Sequence, residues 1–141
     1  AKAQRSGQPG CMMMIDLDHF KQKNDTYGHL VGDLVLIETA HRLSYTLRTN
    51  DLIGRYGGEE FIVFLPVTKR EQGLEIAERL RQNVAAQPVK TETGSLKQTV
   101  SIGLASCPEN AQTLQELIAR ADEALYKAKE GGRNQVNFFK G

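Results

Sequence analysis

The stretch Arg55-Tyr56-Gly57-Gly58-Glu59-Glu60-Phe61 places two carboxylates directly after a glycine pair. Strand-like runs flank it, Asp51 to Tyr56 before and Phe61 to Leu65 after. Two glycines between strands read as a tight hairpin, because hairpin turns call for positive φ and glycine takes it without steric cost. Acids at a sheet rim beside bare backbone suit a site that holds a metal and admits a polyphosphate. The same residues also fit a solvated turn with exposed glutamates, and this stretch alone leaves both readings open.

A second group lies upstream, Asp16-x-Asp18-x-Phe20-Lys21-x-x-Asn24-Asp25. Asp16 follows the apolar run Cys11-Met12-Met13-Met14-Ile15, where a side chain leaves the sheet edge. With Glu59 it would offer oxygen ligands to Mg²⁺, which takes one or two carboxylates plus water and phosphate oxygens. The segment from His19 to Gly28 is polar and reads as a loop whose N–H groups, with Lys21, suit a phosphate chain. Asn24 presents an amide edge and Asp33 a carboxylate acceptor, which together suit a purine carrying N–H donors, guanine above all. Taken singly these residues have plainer roles: Asp18 and Asp25 as turn caps, Asp33 as a solvated helix residue, Phe20 as core.

Two cationic groups complete the inventory. Lys129 and Arg133 bracket Gly131-Gly132 and would clamp phosphates, or complement a helix dipole. Arg48 and Asp51, with Arg79 on a later helix, offer a planar fork for phosphate or a guanine edge. They would equally form a surface ion pair contributing at most about 1 kcal/mol. His41 is expected to pack on its helix. His19 and His29 lie near the proposed site but make no metal-ligand pattern with the cysteines.

The elements that must position these residues follow from the apolar spacing. Cys11–Ile15 is a strand covered on both faces. Leu30, Leu34, Ile37 and Leu47, with Ala40, mark a helix from Leu30 to about Leu47. Phe61–Leu65 is a central strand ended by Pro66. Leu74, Ala77, Leu80 and Val84 mark a helix over 69–86, stopped near Pro88. Val89–Thr93 and Lys97–Cys107 read as a hairpin about Thr93-Gly94-Ser95. Thr113 and Glu116 form a capping box. It opens a helix with Leu114, Leu117, Ile118, Ala121, Leu125 and Ala128 inward, ended by Gly131-Gly132. Gln135–Phe139 is a last short strand. Strand–helix–strand–strand–helix–strand order closes most economically as a mixed α+β fold, a central sheet with helices packed around it.

The chain has 141 residues, the size of one domain, and a formal net charge of +1. That balance gives no support to a basic nucleic-acid surface. No apolar run approaches membrane-spanning length, and residues 1–10 read as a polar lead-in. Cys11 and Cys107 sit beside apolar strand residues and read as buried free thiols in a reducing cytosol.

Taken together, Asp16-x-Asp-x-Phe20-Lys21-x-x-Asn24-Asp25-x-x-Gly28-His29-x-x-Gly32-Asp33, then Arg55-Tyr-Gly57-Gly58-Glu59-Glu60-Phe61, then Ala124-Leu-Tyr-x-Ala-Lys129-x-x-Gly-Arg133-Asn134, resemble the GGDEF family of diguanylate cyclases. The match runs from about Cys11 to Val136. The resemblance implies a βαββαβ palm-like nucleotidyl cyclase fold and condensation of two GTP into cyclic di-GMP, with release of two pyrophosphates.

By similarity, Asp16, the Leu17 carbonyl and Glu59 would hold Mg²⁺, with Mn²⁺ as a substitute. Phe20, Lys21, Lys129 and Arg133 would hold phosphates, with Gly57 and Gly58 letting nucleotide approach the backbone. Asn24 and Asp33 would read guanine, with His29 nearby. Glu59 and Lys21 would carry the chemistry. Arg48 and Asp51, with Arg79, match a product-inhibition site. One GTP per domain implies a homodimer for turnover.

Two departures stand out. The third position of the signature is Glu rather than Asp. The D-x-L-T-G-L-x-N-R segment and helix that usually precede the first strand are missing, so a single domain over 1–141, within a longer protein carrying a sensor or dimerisation domain, is expected. That protein would be cytoplasmic, or the cytoplasmic part of a membrane-bound one. The competing reading is an inactive module that binds GTP or cyclic di-GMP as a receptor.

Overall fold

The computed structural model describes residues 7–140. What was expected of residues 1–6 therefore lies outside the described residues, while 7–9 form a turn leading into the first strand. Strand β1 (Gly10–Leu17) sits at the centre of a five-stranded sheet of order β2-β3-β1-β6-β7. Its neighbours are β3 (Glu60–Pro66) and β6 (Val100–Cys107), both antiparallel to it. Strand β2 (Leu52–Arg55) extends one edge antiparallel to β3, and β7 (Val136–Phe138) extends the other parallel to β6.

Every residue of β1 and β6 is buried, so these strands are covered on both faces, as their continuous apolar sequence requires. Alternation along β1 sorts the two cores. Cys11, Met13 and Ile15 pack with helices α2 (His29–Thr46) and α3 (Arg70–Ala85). Met12 and Met14 face α4 (Leu114–Glu130), whose Leu117, Ala121 and Leu125 line the other core. The Thr113–Glu116 capping box opens α4 with both of its reciprocal bonds formed. Leu114, expected inward, is instead mostly exposed at the first turn.

Three expectations are corrected. The polar segment after β1 is not a loop but a short helix, α1 (Phe20–Tyr27), whose only buried residue is Phe20. With one apolar anchor, periodicity had nothing to detect. Helix α2 buries Gly32, Val35, Leu36, Thr39 and Leu43; of the expected series Ala40 and Leu47 are partly buried against the core, while Leu30, Leu34 and Ile37 are exposed. This helix is apolar on nearly every side, so spacing identifies a helix without choosing its face. The Thr39 hydroxyl donates back to the Val35 carbonyl at 2.8 Å, and Gly32 makes room for the Asn24 side chain of α1, whose Oδ1 a Cβ would meet at 1.6 Å. His41 points to solvent.

The third correction concerns the hairpin after α3. Strand β4 (Val89–Thr91) pairs with β5 (Gly94–Leu96), a separate two-stranded ribbon, and β6 joins the main sheet instead.

Cys11 and Cys107 are free and buried. In the β1–β6 register Cys11 lies opposite Ser106 and Cys107 opposite Gly10, so the two thiols project to opposite faces. Burial pushes the Cys11 thiol up to about 12. In the native protein at pH 8 neither thiol should react with a disulfide reagent within minutes, and both should react in denaturant. A fast native reaction at either one would contradict this packing.

Candidate active site

The carboxyl end of β1 and the β2–β3 turn meet at one rim of the sheet. Asp16 pairs with Glu60 across β1–β3, and the Leu17 N–H donates to the Glu59 carbonyl at 3.2 Å. This brings Glu59 beside Asp16. The turn closes through Tyr56 N–H to the Glu60 carbonyl at 2.8 Å. The Arg55 guanidinium also donates to the carbonyls of Gly57 and Gly58, at 3.2 and 2.5 Å. Neither glycine adopts the left-handed conformation expected of it. Their use is bareness: a Cβ on Gly57 would lie 2.8 Å from the Glu60 carboxylate, while Gly58 faces open space.

A cleft of about 270 Å³ opens here, lined by Asp16, Leu17, Asp18, His19, Phe20, Lys21, Gln22, Glu59, Lys129 and Arg133. Three separate parts of the sequence thus converge on one space. Asp16 is almost buried; its Oδ2 accepts from the Lys129 ammonium, and its Oδ1 is buried with no hydrogen-bond partner. Burial raises the Asp16 carboxyl above its ordinary value, against the opposing pull of Lys129. Burial, then the Asp16 charge, raises Glu59 as well. Glu60 is raised by the same pair of causes. Carboxylates raised by burial and by the Asp16 charge, around an orphaned oxygen, leave room for a cation.

Among the described residues no three His, Cys, Asp or Glu side chains form a metal cluster. Two carboxylates fit Mg²⁺, which leaves its other positions to water and phosphate. The buried, unpartnered Oδ1 of Asp16 is the atom that makes the fit specific.

Opposite the carboxylates, α1 starts at Phe20 with no side-chain cap and no acidic residue in its first turn. His19, at φ 57, turns the chain sharply into it. The first-turn residues Phe20, Lys21 and Gln22 line the cleft, and the N–H groups of a first helical turn have no intrahelical acceptors, a ready site for an anion. Phe20 is buried in the core and also lines the cleft.

The other predicted residues lie elsewhere. Asn24, His29 and Asp33 do not line the cleft. They sit on the adjoining α1 and α2, with Asn24 packed against Gly32, next to Asp33, and its Oδ1 buried without a partner. Arg48 and Asp51 form a bidentate pair, with Nη2 to Oδ1 at 2.7 Å and Nε to Oδ2 at 3.0 Å, and Arg48 also donates to the Thr68 hydroxyl at 2.7 Å. This site and the exposed Arg79 stand apart from the cleft. Asp18 is no turn cap: its carboxylate is buried under the hydroxyls of Thr99, just before β6, and Ser101, within it. Sequence reasoning missed Thr99, Ser101 and Gln98; the one available signal was Asp18 falling two residues after Asp16, in the turn just past β1.

The description "Diguanylate cyclase, GGDEF domain" fits residues 1–135. The chain belongs to this family. The GGDEF domain is 44% identical over 137 residues to the response regulator PleD of Caulobacter vibrioides, covering 96% of this chain and 30% of that protein. It is 43% identical to the probable diguanylate cyclase DgcT of Escherichia coli, covering 96% of this chain and 30% of that one. The chain thus spans about a third of the length of the curated relatives it matches.

Among solved structures, the GGDEF domain of YfiN (TpbB) from Pseudomonas aeruginosa is similar at a TM-score of 0.94 and 34% identity, covering 99% of this chain and 88% of that one. The active GGEEF domain of a diguanylate cyclase from Vibrio cholerae gives 0.91 and 35%, covering 99% and 88%. The DgcB GGDEF domain of Caulobacter crescentus, solved with c-di-GMP, gives 0.91 and 33%, covering 99% and 83%. These likenesses establish the mixed α+β fold around a largely antiparallel sheet. No helix among the described residues is long and apolar enough to cross a membrane.

Proposed function

We propose that the cleft binds the Mg²⁺–triphosphate of one GTP, and that two such domains facing each other condense two GTP into cyclic di-GMP. The observation that carries this reading is the convergence, in one cleft, of the orphaned Asp16 oxygen, Glu59, the uncapped start of α1 and the cations Lys21, Lys129 and Arg133. Asp16, the Leu17 carbonyl and Glu59 would hold Mg²⁺ or Mn²⁺, which neutralises charge on the triphosphate. Lys21 and the α1 N–H groups hold the phosphate tail, while Lys129 from α4 and Arg133 from the turn after it close over it. Asn24 and Asp33, with His29 beside them, take the guanine along α1 and α2.

In each half-reaction the 3′-hydroxyl of one GTP attacks the α-phosphorus of the other. The new P–O bond forms as the bond to pyrophosphate breaks, and the hydroxyl proton is lost. Glu59, raised by burial above an ordinary glutamate, is the candidate to take that proton. The cations opposite stabilise the leaving pyrophosphate. One cleft presents one α-phosphorus, so both bonds are made only when two domains face each other. At low concentration, activity per chain should therefore rise with protein concentration in the intact protein incubated with GTP and Mg²⁺. A folded dimer that binds GTP and yields no cyclic dinucleotide would favour the receptor reading instead.

Arg48, Asp51 and Arg79 are the proposed site of product inhibition. The bidentate Arg48–Asp51 pair keeps a planar fork partly exposed at the end of α2. Arg48→Ala should raise the product concentration needed for half-inhibition by about tenfold, the loss of one charge-assisted bidentate contact. Superimposable inhibition curves for parent and variant would reduce the pair to a structural tie.

A further inference from the structure

We propose that Asp18 is a positioning residue for the phosphate-binding arm at the end of α4, holding the Arg133 side chain at the cleft. The proposal rests on the reading of the cleft as a GTP site. Asp18 is only 2% exposed, and every polar atom it carries is used. Its Oδ1 accepts from the Ser101 hydroxyl at 2.6 Å, and its Oδ2 from the Thr99 hydroxyl at 2.6 Å and the Asn134 N–H at 3.0 Å. Its N–H donates to the Thr99 carbonyl at 2.9 Å. Its carbonyl accepts from the Gln98 amide at 3.0 Å and the Lys23 ammonium at 3.4 Å. With the carboxylate fully committed to these donors, Asp18 is not a metal ligand, although it stands two residues from Asp16.

The Asn134 N–H is the telling partner. Arg133 and Asn134 are consecutive non-glycine residues in the left-handed region, at φ 63 and 48. Such conformations cost on the order of 1–3 kcal/mol each and persist only where the surroundings hold them. The bond to Asp18 falls on the peptide between the two. Two further bonds pin the same turn: the Arg133 N–H donates to the Ala128 carbonyl at 3.0 Å, and Arg81 donates to the Asn134 side chain at 2.9 Å. Arg81 is itself paired with Glu78. The turn that follows α4 is thus tied to the start of β6 and the end of β1 through one buried carboxylate, and that tie sets where Arg133 meets the cleft.

The substitution that isolates this role is Asp18→Asn. The amide oxygen can keep the Asn134 N–H and the Thr99 hydroxyl while the Ser101 hydroxyl rotates to accept from the amide NH₂, so the substitution removes the charge assistance from the bond that holds the turn. In the full-length protein with Mg²⁺, GTP affinity should fall by about tenfold or more. Affinity for GMP, which carries the same base but lacks the pyrophosphate tail, should stay within about twofold. In an Arg133→Ala background, Asp18→Asn should add less than about twofold, because both changes remove one interaction. Ser101→Ala removes a single donor and should give the same pattern at about threefold, which keeps the test decisive if Asp18→Asn does not fold.

GTP affinity unchanged in both variants would overturn the proposal. So would equal losses for GTP and GMP, or an undiminished effect in the Arg133→Ala background. A parent protein that binds no GTP at all would defeat the cyclase reading itself, and the proposal with it.

Discussion

Glu59→Gln is expected to lower cyclic di-GMP formation by about 100-fold or more, some 2.7 kcal/mol of transition-state stabilisation, while leaving the fold intact. Glutamine keeps the shape of the side chain and removes its charge, so the loss falls on cation binding and proton acceptance rather than on packing. The stability of the variant carries its own sign. Glu59 is raised in the folded protein by burial and by Asp16, so its ionised form is worse off folded than unfolded. A carboxylate with a raised folded value weakens the protein as pH rises through that value. Removing the charge should therefore leave the melting temperature at neutral pH equal to or above that of the parent in the absence of Mg²⁺. Added Mg²⁺ should stabilise the parent more than the variant. Unchanged turnover, measured by product chromatography, would refute the role of Glu59.

The largest structural effect is expected at Gly103, in β6 under α4. A Cβ there would lie 2.1 Å from the Leu125 nitrogen, 2.2 Å from the Ala121 carbonyl oxygen and 2.6 Å from the Leu125 Cα. These are backbone atoms and cannot rotate away. Helix α4 would have to lift off the sheet, opening the contacts of Leu117, Ala121 and Leu125 with Met12 and Met14. Overpacking of this kind costs about 1–3 kcal/mol when side chains can give, and the upper end or more is expected where they cannot. For a domain of this size Gly103→Ala should lower the melting temperature by about 10 °C. GTP turnover should fall with it, because Lys129 rides on that helix and Arg133 on the turn that follows it. A variant that melts within about 2 °C of the parent would show that α4 does not press on β6.

Much of this was legible in the residues. Cys11–Ile15, Phe61–Leu65 and the Thr113–Glu116 capping box announced their elements because apolar pattern and end signals agreed. The carboxylates Asp16 and Glu59 and the cations Lys129 and Arg133 were readable as a site because three motifs specified one chemistry. Other features were hidden for physical reasons. Helix α1 has a single buried anchor, Phe20, and offers no periodicity. Helix α2 is apolar on several sides, so spacing did not choose between the buried Val35, Leu36 and Leu43 and the exposed Leu30, Leu34 and Ile37. The Gly57-Gly58 turn was recognised, but its glycines serve by lacking side chains rather than by adopting positive φ. The Asp18 network joins residues more than eighty positions apart, through Thr99, Ser101 and Asn134, and no local pattern announces it.

The central claim is that this GGDEF domain, paired with a second copy, joins two GTP through two in-line displacements. The most direct measurement follows the intact dimeric protein in GTP and Mg²⁺, quantifying cyclic di-GMP and pyrophosphate together. The account predicts one pyrophosphate for each GTP consumed and one cyclic di-GMP for each pair, with both signals lost in Glu59→Gln. GTP that stays bound and unconsumed on a folded dimer, or pyrophosphate released without cyclic dinucleotide, would contradict it.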